Sequence, residues 1–401
     1  MTRSPNTLQP PSVPAAMDMP LTLLGGLSAP QFMKKHWQKK PLLVRQAIAG
    51  FKPLLTRAQL FDLSRQEDVE SRLIVQTLST AAGKSRKKTA TPAWTLEHGP
   101  FAKGAFPPVD QSGWTLLVQG VDLHNDALHQ LLNRFRFVPD ARLDDVMISW
   151  ASDNGGVGPH FDSYDVFLLQ ASGKRRWRIG RQKNLDLQPD MPLKILAHFE
   201  PEQEFELDAG DMLYLPPRWA HDGVAVGEGC MTYSVGFRVP QRASLASELA
   251  LRMTDAFEDA TLYKDSAQPA TQTPAHIPET LHAFAQDALQ RLLSDRDSLA
   301  CALGEVMTDP KPKVWFEEPL ADWNGGPLQL DRRTRMMYDD RHIFINGDSF
   351  RAAGADARLM RRLADTRRLD VADLARCSGA AKALLAEWYG AGWVVGQQAG
   401  A

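Results

Sequence analysis

The chain has 401 residues, 43% of them hydrophobic and 23% charged, with a formal net charge of −2. That length exceeds one ordinary core and predicts two or three domains, while the near-neutral balance excludes bulk charge as an argument for nucleic acid or a membrane as main partner. Cys230, Cys301 and Cys377 are odd in number and far apart, which excludes a disulfide framework and a cysteine metal pair and fits a reducing, cytoplasmic compartment.

Residues 1–28 are expected to be a disordered tail, Pro-rich through residue 19 and without the apolar centre of a signal peptide. No stretch reaches the roughly 18 apolar residues that a membrane span requires. Residues 29–50 predict a short helix running into a strand, PLLVRQA. Residues 56–77 predict a helix, because Leu60, Phe61, Leu63 and Val69 fall near helical spacing. The polar, basic run TAAGKSRKKTATP over 80–92 predicts a solvated loop.

From 113 to 240 the texture is strand-rich. WTLLVQGV, DDVMISWAS, DVFLLQASG, KRRWRIG, MLYLPP and MTYSVGFRV are short, rich in β-branched and aromatic residues, and separated by Gly, Pro, Asn and Asp. Such a series predicts a jelly roll or a related barrel. After Pro240 the pattern becomes helical over 241–262 and 278–307, joined by KDSAQPATQTPAHIP. Two helices alone leave apolar faces bare, so they are expected to cover the barrel or a second copy of the chain, which points to a homodimer. Residues 309–401 combine a hairpin, RMMYDDRHIFING, with helices near 355–366, 371–376 and 379–389 and a last strand, GWVVGQ. That α+β mixture predicts a winged-helix-like domain. The division expected is a barrel over 29–240, a helical dimerisation region over 241–308 and a winged-helix-like domain over 309–401.

The chemistry concentrates in GGVGPHFDSYDVFLLQASGKRRWRIG and DAGDMLYLPPRWAHDGVAV. His160 and Asp162, two apart, would share one face of a strand. His221 follows a strand and a Pro-Pro turn, and in a jelly roll it can come beside them. Two imidazoles and a carboxylate on one side of a metal leave the other positions open, the facial arrangement of non-haem iron oxygenases. Gly155, Gly156 and Gly158 mark close backbone approach just before the pair. His198 is the reserve third ligand. In GKRRWRIG, alternation puts Arg175, Trp177 and Ile179 on the inward face. A buried arginine requires a carboxylate; Asp211 is one candidate and the distal carboxylate of 2-oxoglutarate the other. Ser149 and Tyr214 are expected to donate hydrogen bonds in the pocket, and Tyr164, Asp165 and Asp153 to line a polar substrate entrance; a core or turn role is the alternative for each.

Those segments, with GDMLYLPPRWAHDG and MTYSVGFRVP, resemble the JmjC-type ribosomal oxygenases, and among them the bacterial ribosomal protein arginine hydroxylases. HWQKKPLLVR and WTLLVQGV fit the same family. The resemblance runs from about residue 29 through the helical region and weakens in the last ninety residues or so. It implies a double-stranded β-helix (cupin-like) catalytic domain, Fe(II) at His160, Asp162 and His221, 2-oxoglutarate as cosubstrate at Arg175, and O₂. The implied substrate is an arginine of a large-subunit ribosomal protein, number sixteen in its series. The basic stretch near 80–92 and the tail before residue 20 depart from the family pattern. Three alternatives stand beside this reading. One is a histidyl hydroxylase or demethylase of the same superfamily. Another is a metal-binding cupin without catalysis. The last is a nucleic-acid-binding regulator, for which Arg351, Arg358, Arg361, Arg362, Arg367 and Arg368 speak. The interleaved Asp356, Asp365, Asp370 and Asp373 make direct nucleic-acid binding unexpected.

Overall fold

The computed structural model describes residues 18–79, 91–255 and 257–397. The tail through residue 17 and residues 80–90 of the basic loop lie outside the described residues. The expected tail, however, is too long. Leu21 brackets a short turn by bonding to Leu27, the 3₁₀ turn Thr22–Leu24 follows it, and Leu23 and Leu24 are buried. Three leucines after the Pro-rich prefix supply apolar area that the first core takes up.

The chain divides into two compact units, Met1–Val239 and Pro240–Ala401. In the first, α1 (Ala29–Lys35) and α2 (Arg57–Leu63) each begin with a capping box, Ser28 with Gln31 and Thr56 with Gln59. Strand β1 (Leu42–Val44) lies between them. The helix expected over 56–77 stops at Leu63. Residues Ser71–Ser79 form strand β2, paired with β3 (Thr91–His98) on one side and β4 (Trp114–Val118) on the other. The run RLIVQTL is β-branched, and two antiparallel partners outweigh an accidental helical spacing of leucines upstream. Helix α3 (Asp126–Asn133), capped by Asn125, buries Leu128, Leu131 and Leu132; the strand-rich texture around it concealed it.

The barrel is completed by β5 (Leu143–Ala151), β6 (Val166–Arg181), β7 (Gln203–Leu207), β8 (Met212–Leu215) and β9 (Trp219–Phe237). The strands run β1-β8-β6-β9-β5-β4-β2-β3, with β7 beside β6, and all pairings are antiparallel. DVFLLQASG and KRRWRIG, expected as two strands, are one strand of 16 residues, and MTYSVGFRV is the second half of another of 19. Gly173, which reads as a turn, is instead part of a register break. It has φ of +61°, and a Cβ there would stand 2.9 Å from Cys230 Cα. Bulges of this kind bend a ribbon and let its two halves serve different sheets.

Beside a small cluster of Ala151, Ala225 and Cys230, the first unit has, among the described residues, two large apolar cores. The larger collects Phe32, Trp114, Phe135, Phe167, Tyr214, Tyr233 and Phe237. The smaller holds Val166, Leu168, Trp177, Ile179, Leu207, Leu213 and Leu215 and forms the barrel interior. Each fully buried side chain of this size contributes about 1.5–3 kcal/mol.

In the second unit, α4 (Arg242–Asp255), α5 (Glu279–Ser294) and α6 (Arg296–Thr308) share a small core of Met253, Leu292 and Ala302. The helix expected over 278–307 is thus two, separated by Asp295, which caps α6. Strands β10 (Leu328–Leu330), β11 (Met336–Tyr338), β12 (His342–Ile345) and β13 (Asp348–Arg351) follow. Asn346 and Gly347, at φ of +49° and +93°, make the tight β12–β13 turn that the Asn-Gly pair signals. Helix α7 (Gly354–Thr366), β14 (Arg368–Leu369), α8 (Val371–Leu374), α9 (Gly379–Gly390) and β15 (Val394–Gly396) close the winged helix around Leu363, Leu385 and Trp388. The boundary expected at 308/309 cuts a packed contact. Gly304 of α6 sits against Phe344 of β12, and Thr308 Oγ1 accepts from Gly347 N at 3.2 Å.

A Cβ at position 304 would stand 2.3 Å from the Phe344 ring. Gly304→Ala is therefore expected to destabilise the second unit by about 2 kcal/mol through overpacking. Urea unfolding followed by circular dichroism measures this; an unchanged midpoint would show that α6 is not seated on β12.

Candidate metal centre

The segment before the first ligand lies against β9 without forming a ladder. Asn154 N donates to Ala225 O at 3.1 Å, and Ala225 N to Gly155 O at 2.9 Å. Glycine is required there. A Cβ at Gly155 would lie 2.3 Å from Trp114 O, and one at Gly156 2.7 Å from Gly223 O. The same path brings His160 opposite His221, where two backbone bonds, 3.0 and 2.8 Å, form an isolated antiparallel bridge. His160 and Asp162 are thus extended but stand outside any named strand, unlike the strand expected for them. The segment's strand pairing at the ligands is limited to that single bridge. Arg218 N donates to Asp162 O at 2.7 Å and so fastens the Pro216–Pro217 turn to the carboxylate-bearing residue.

One ligand atom from each of His160, Asp162 and His221 lies within 4.8 Å of the others. The two rings are 4.2 Å apart, and His221 Nε2 is 3.6 Å from Asp162 Oδ2. Both imidazoles are aimed from behind. His160 Nδ1 is 2.9 Å from Gly158 O, and His221 Nδ1 is 2.9 Å from Trp219 O. A carbonyl only accepts, so each Nδ1 is the donor, and this bond turns each Nε2 toward the other two groups. Burial, then the neighbouring His160, pushes the His221 ring down to about 4, against the pull of Asp162. His221 is therefore neutral at physiological pH, the state in which an imidazole ligates. Two imidazoles and one carboxylate drawn together suit a first-row divalent ion such as Fe(II).

The barrel interior continues this face. His221 is registered with Ile179, Gly223 with Trp177, and Ala225 with Arg175, so Arg175, Trp177, Ile179 and His221 point the same way. The Trp177 ring lies 5.8 Å from His221, and the Arg175 guanidinium 5.7 Å from the Trp177 ring. Arg175 is 3% exposed, and its Nη2 has no hydrogen-bond partner. Asp211, the protein carboxylate that could have matched it, is engaged by Arg45 at 2.6 Å and by Gln46 N at 2.9 Å. A buried guanidinium with an unmet donor fits the distal carboxylate of a dicarboxylate.

The remaining expected residues divide. Ser149 is buried on the inward face, 3.5 Å from Thr232 O, in register with Thr232 and through it with Gln170. Tyr214 is not in the pocket. It lies on the opposite face of β8 from Leu213 and Leu215, packs on Phe32 and Trp37, and donates to Asp165 at 2.6 Å. Asp165 is not an entrance residue either. It is fully buried and also receives Gln38 and Arg142. Asp153 accepts from Gly227 N and Asn154, and so caps turns. Tyr164 is 40% exposed, and its phenol is held well above the ordinary range by desolvation and by the Asp162 carboxylate that it bonds. His198 is exposed on a loop and lies outside the metal group. Trp177 takes the inward position that alternation gives it beside Arg175, whereas Gln170, Cys230 and Thr232 were missed.

A double-stranded β-helix with this donor set defines the class of 2-oxoglutarate-type oxygenase barrels. The JmjC domain pattern matches residues 130–245, and that of the ROXA-like winged helix matches 291–394. The chain is 34% identical over 294 residues to the ribosomal protein uL16 3-hydroxylase of Escherichia coli, covering 73% of this chain and 71% of that one. It is 27% identical over 369 residues to a probable ribosomal oxygenase of Haemophilus influenzae, covering 86% and 87%. The structure of E. coli YcfD superposes with a TM-score of 0.78 at 27% identity over 91% of this chain and 97% of that one. A second YcfD structure, in complex with cobalt and 2-oxoglutarate, gives 0.77 over 92% and 98%. The chain belongs to the JmjC-type ribosomal oxygenase family.

Because His221 moves from 6.5 to about 4 on folding, the unfolded chain binds more protons between those values, and stability of the metal-free protein falls as pH drops through that window. The loss reaches about 3 kcal/mol below the lower value. In the metal-free protein, NMR of the imidazole nitrogens is expected to show His221 titrating near 4. Titration at the ordinary value would refute the buried, neutral ligand.

Proposed function

We propose that this protein is an Fe(II)- and 2-oxoglutarate-dependent hydroxylase that acts on an arginine side chain of a large-subunit ribosomal protein. The observation that carries the proposal is the pairing on one inward face of a two-histidine, one-carboxylate set with a buried guanidinium whose Nη2 is unmet. A dication fits the first, and the distal carboxylate of 2-oxoglutarate fits the second. The E. coli relative is named for 3-hydroxylation of uL16, and the arginyl target comes to this chain from that likeness.

When bound, iron, 2-oxoglutarate and O₂ together supply oxidation of the substrate carbon, coupled to decarboxylation of the cosubstrate to succinate. The chain's part is placement. His160, Asp162 and His221 would hold the metal; Arg175 would anchor the far end of the cosubstrate, and Trp177 and Ile179 would keep water from that end. Tyr164, half out of the barrel and bonded to Asp162, marks the rim where the substrate arrives. Ser149 adds a hydroxyl to the interior wall.

A second copy of the chain completes the proposal. Leu251, Leu289 and Leu293 on α4 and α5 are each 61–62% exposed, an apolar surface that a homodimer would cover. Nucleic acid is no part of it. Arg351 pairs with Asp297 and Arg362 with Asp373; Arg361 and Arg367 bond backbone carbonyls. The ribosomal substrate class and the three free cysteines support a cytoplasmic location.

Incubation with ribosomal proteins, Fe(II) and 2-oxoglutarate is expected to add one oxygen atom to one arginine, located by tandem mass spectrometry. An oxygen on histidine, or loss of a methyl group, would overturn the arginyl assignment. His160→Ala and Asp162→Ala are expected to abolish 2-oxoglutarate turnover in folded protein.

A further inference from the structure

Arg175 is seated by soft contacts. Its Nε donates to Cys230 Sγ at 3.4 Å, its guanidinium lies beside the Trp177 ring, and its Nη2 is left without a partner. Cys230 is fully buried and also receives Gln170 Nε2 at 3.4 Å. Gln170 is itself fixed, donating to Ser172 O at 2.7 Å and accepting from Thr232 Oγ1 at 2.9 Å. This row sits at the β6–β9 register break. Gly173 lies against the Cys230 backbone there, Ser172 Oγ donates to Gly229 O at 2.8 Å, and Gly229 has φ of +69°. The irregularity of both strands thus serves to press one thiol against one guanidinium.

The chemistry of that choice is informative. A carboxylate at position 230 would close an ion pair and compete with any dicarboxylate for Arg175. An alkyl side chain would leave Nε buried and unmet, free to rotate toward another acceptor. Sulfur accepts weakly: it orients Nε without neutralising the charge. We propose that Cys230, held by Gln170 and Thr232, is a positioning residue that fixes the Nε edge of Arg175 so that the Nη edge meets the distal carboxylate of 2-oxoglutarate. The proposal rests on the assignment of Arg175 to the cosubstrate.

The test is calorimetric titration of 2-oxoglutarate into Co(II)-loaded protein, alongside KM and kcat of the iron form. Cys230→Ala is expected to raise both Kd and KM for 2-oxoglutarate by about five- to tenfold, the effect of one ordinary hydrogen bond, since sulfur accepts weakly. Co(II) affinity and kcat at saturating 2-oxoglutarate are expected to stay at the parental values. Cys230→Ser, which restores an acceptor, is expected to recover most of the loss. A folded alanine variant with parental Kd, or a serine variant as weak as alanine, would overturn the role of the thiol. Should the alanine variant fail to fold, Gln170→Met decides, with a raised Kd expected and a parental one fatal. Arg175→Ala separates the two levels. If it binds 2-oxoglutarate normally, the cosubstrate assignment falls and the thiol's role with it; if it loses binding while Cys230→Ala does not, only the thiol's role falls.

Discussion

The structure of the site depends on one long antiparallel ribbon, β6 with β9, and on the break in its register. The outer half, Val166–Gln170 against Thr232–Gly236, supplies aromatic and aliphatic side chains to the cores. The inner half, Lys174–Arg181 against Trp219–Val226, carries Arg175, Trp177 and His221. Because directly opposed residues share a face, fixing His221 opposite Ile179 also fixes Arg175 inward, four residues along. A slip of one residue in that pairing would turn the guanidinium to solvent. The His160–His221 bridge then brings the other two ligands to the same place. Pairing thus comes first, and metal geometry follows from it.

Much of this was legible in the sequence, for reasons that differ by residue. Arg175 could be assigned because its strand has one wet face: Lys174 and Arg176 are exposed, while Trp177 and Ile179 are buried. Alternation then carries real information. In MLYL it carries none, since β8 is buried on both faces and every residue is apolar. Parity alone therefore leaves Tyr214 between pocket and core, and packing settles it in the core, against Phe32 and Trp37. Asp165 misled for a related reason. Next to Tyr164 in the chain, it points the other way and ends as a buried acceptor for Tyr214, Gln38 and Arg142.

The errors of extent have a common cause as well. Helix spacing over Leu60, Phe61, Leu63 and Val69 is local, but whether 71–79 becomes a strand is decided by β3 and β4, which lie 12 or more residues away along the chain. Glycine in a strand pattern is equally ambiguous. Gly347 marks a true turn, whereas Gly173 sits inside a strand that continues past it. The difference is set by what approaches the backbone, Cys230 in the second case, and no window of sequence contains that contact. Gln170 and Thr232 went unnoticed for the same reason, since their meaning lies in partners across the sheet.

Charge ties the parts together. The inward face presents one carboxylate, Asp162, two imidazoles, of which His221 is held neutral by burial, and one guanidinium, Arg175. Asp162 and Arg175 carry opposite charges but are not paired with each other, and the buried guanidinium has an unmet donor. A divalent cation beside Asp162 and a dicarboxylate reaching from that cation to Arg175 bring opposite charges together at both ends and keep the sum at zero. A monocarboxylate would satisfy one end only, and a metal alone would leave the guanidinium unmatched. If Arg175 takes the cosubstrate as proposed, the β6–β9 register that places this one arginine also sets the length of dianion that fits. Among the described residues no carboxylate is paired with Arg175, and Asp211 is committed to Arg45.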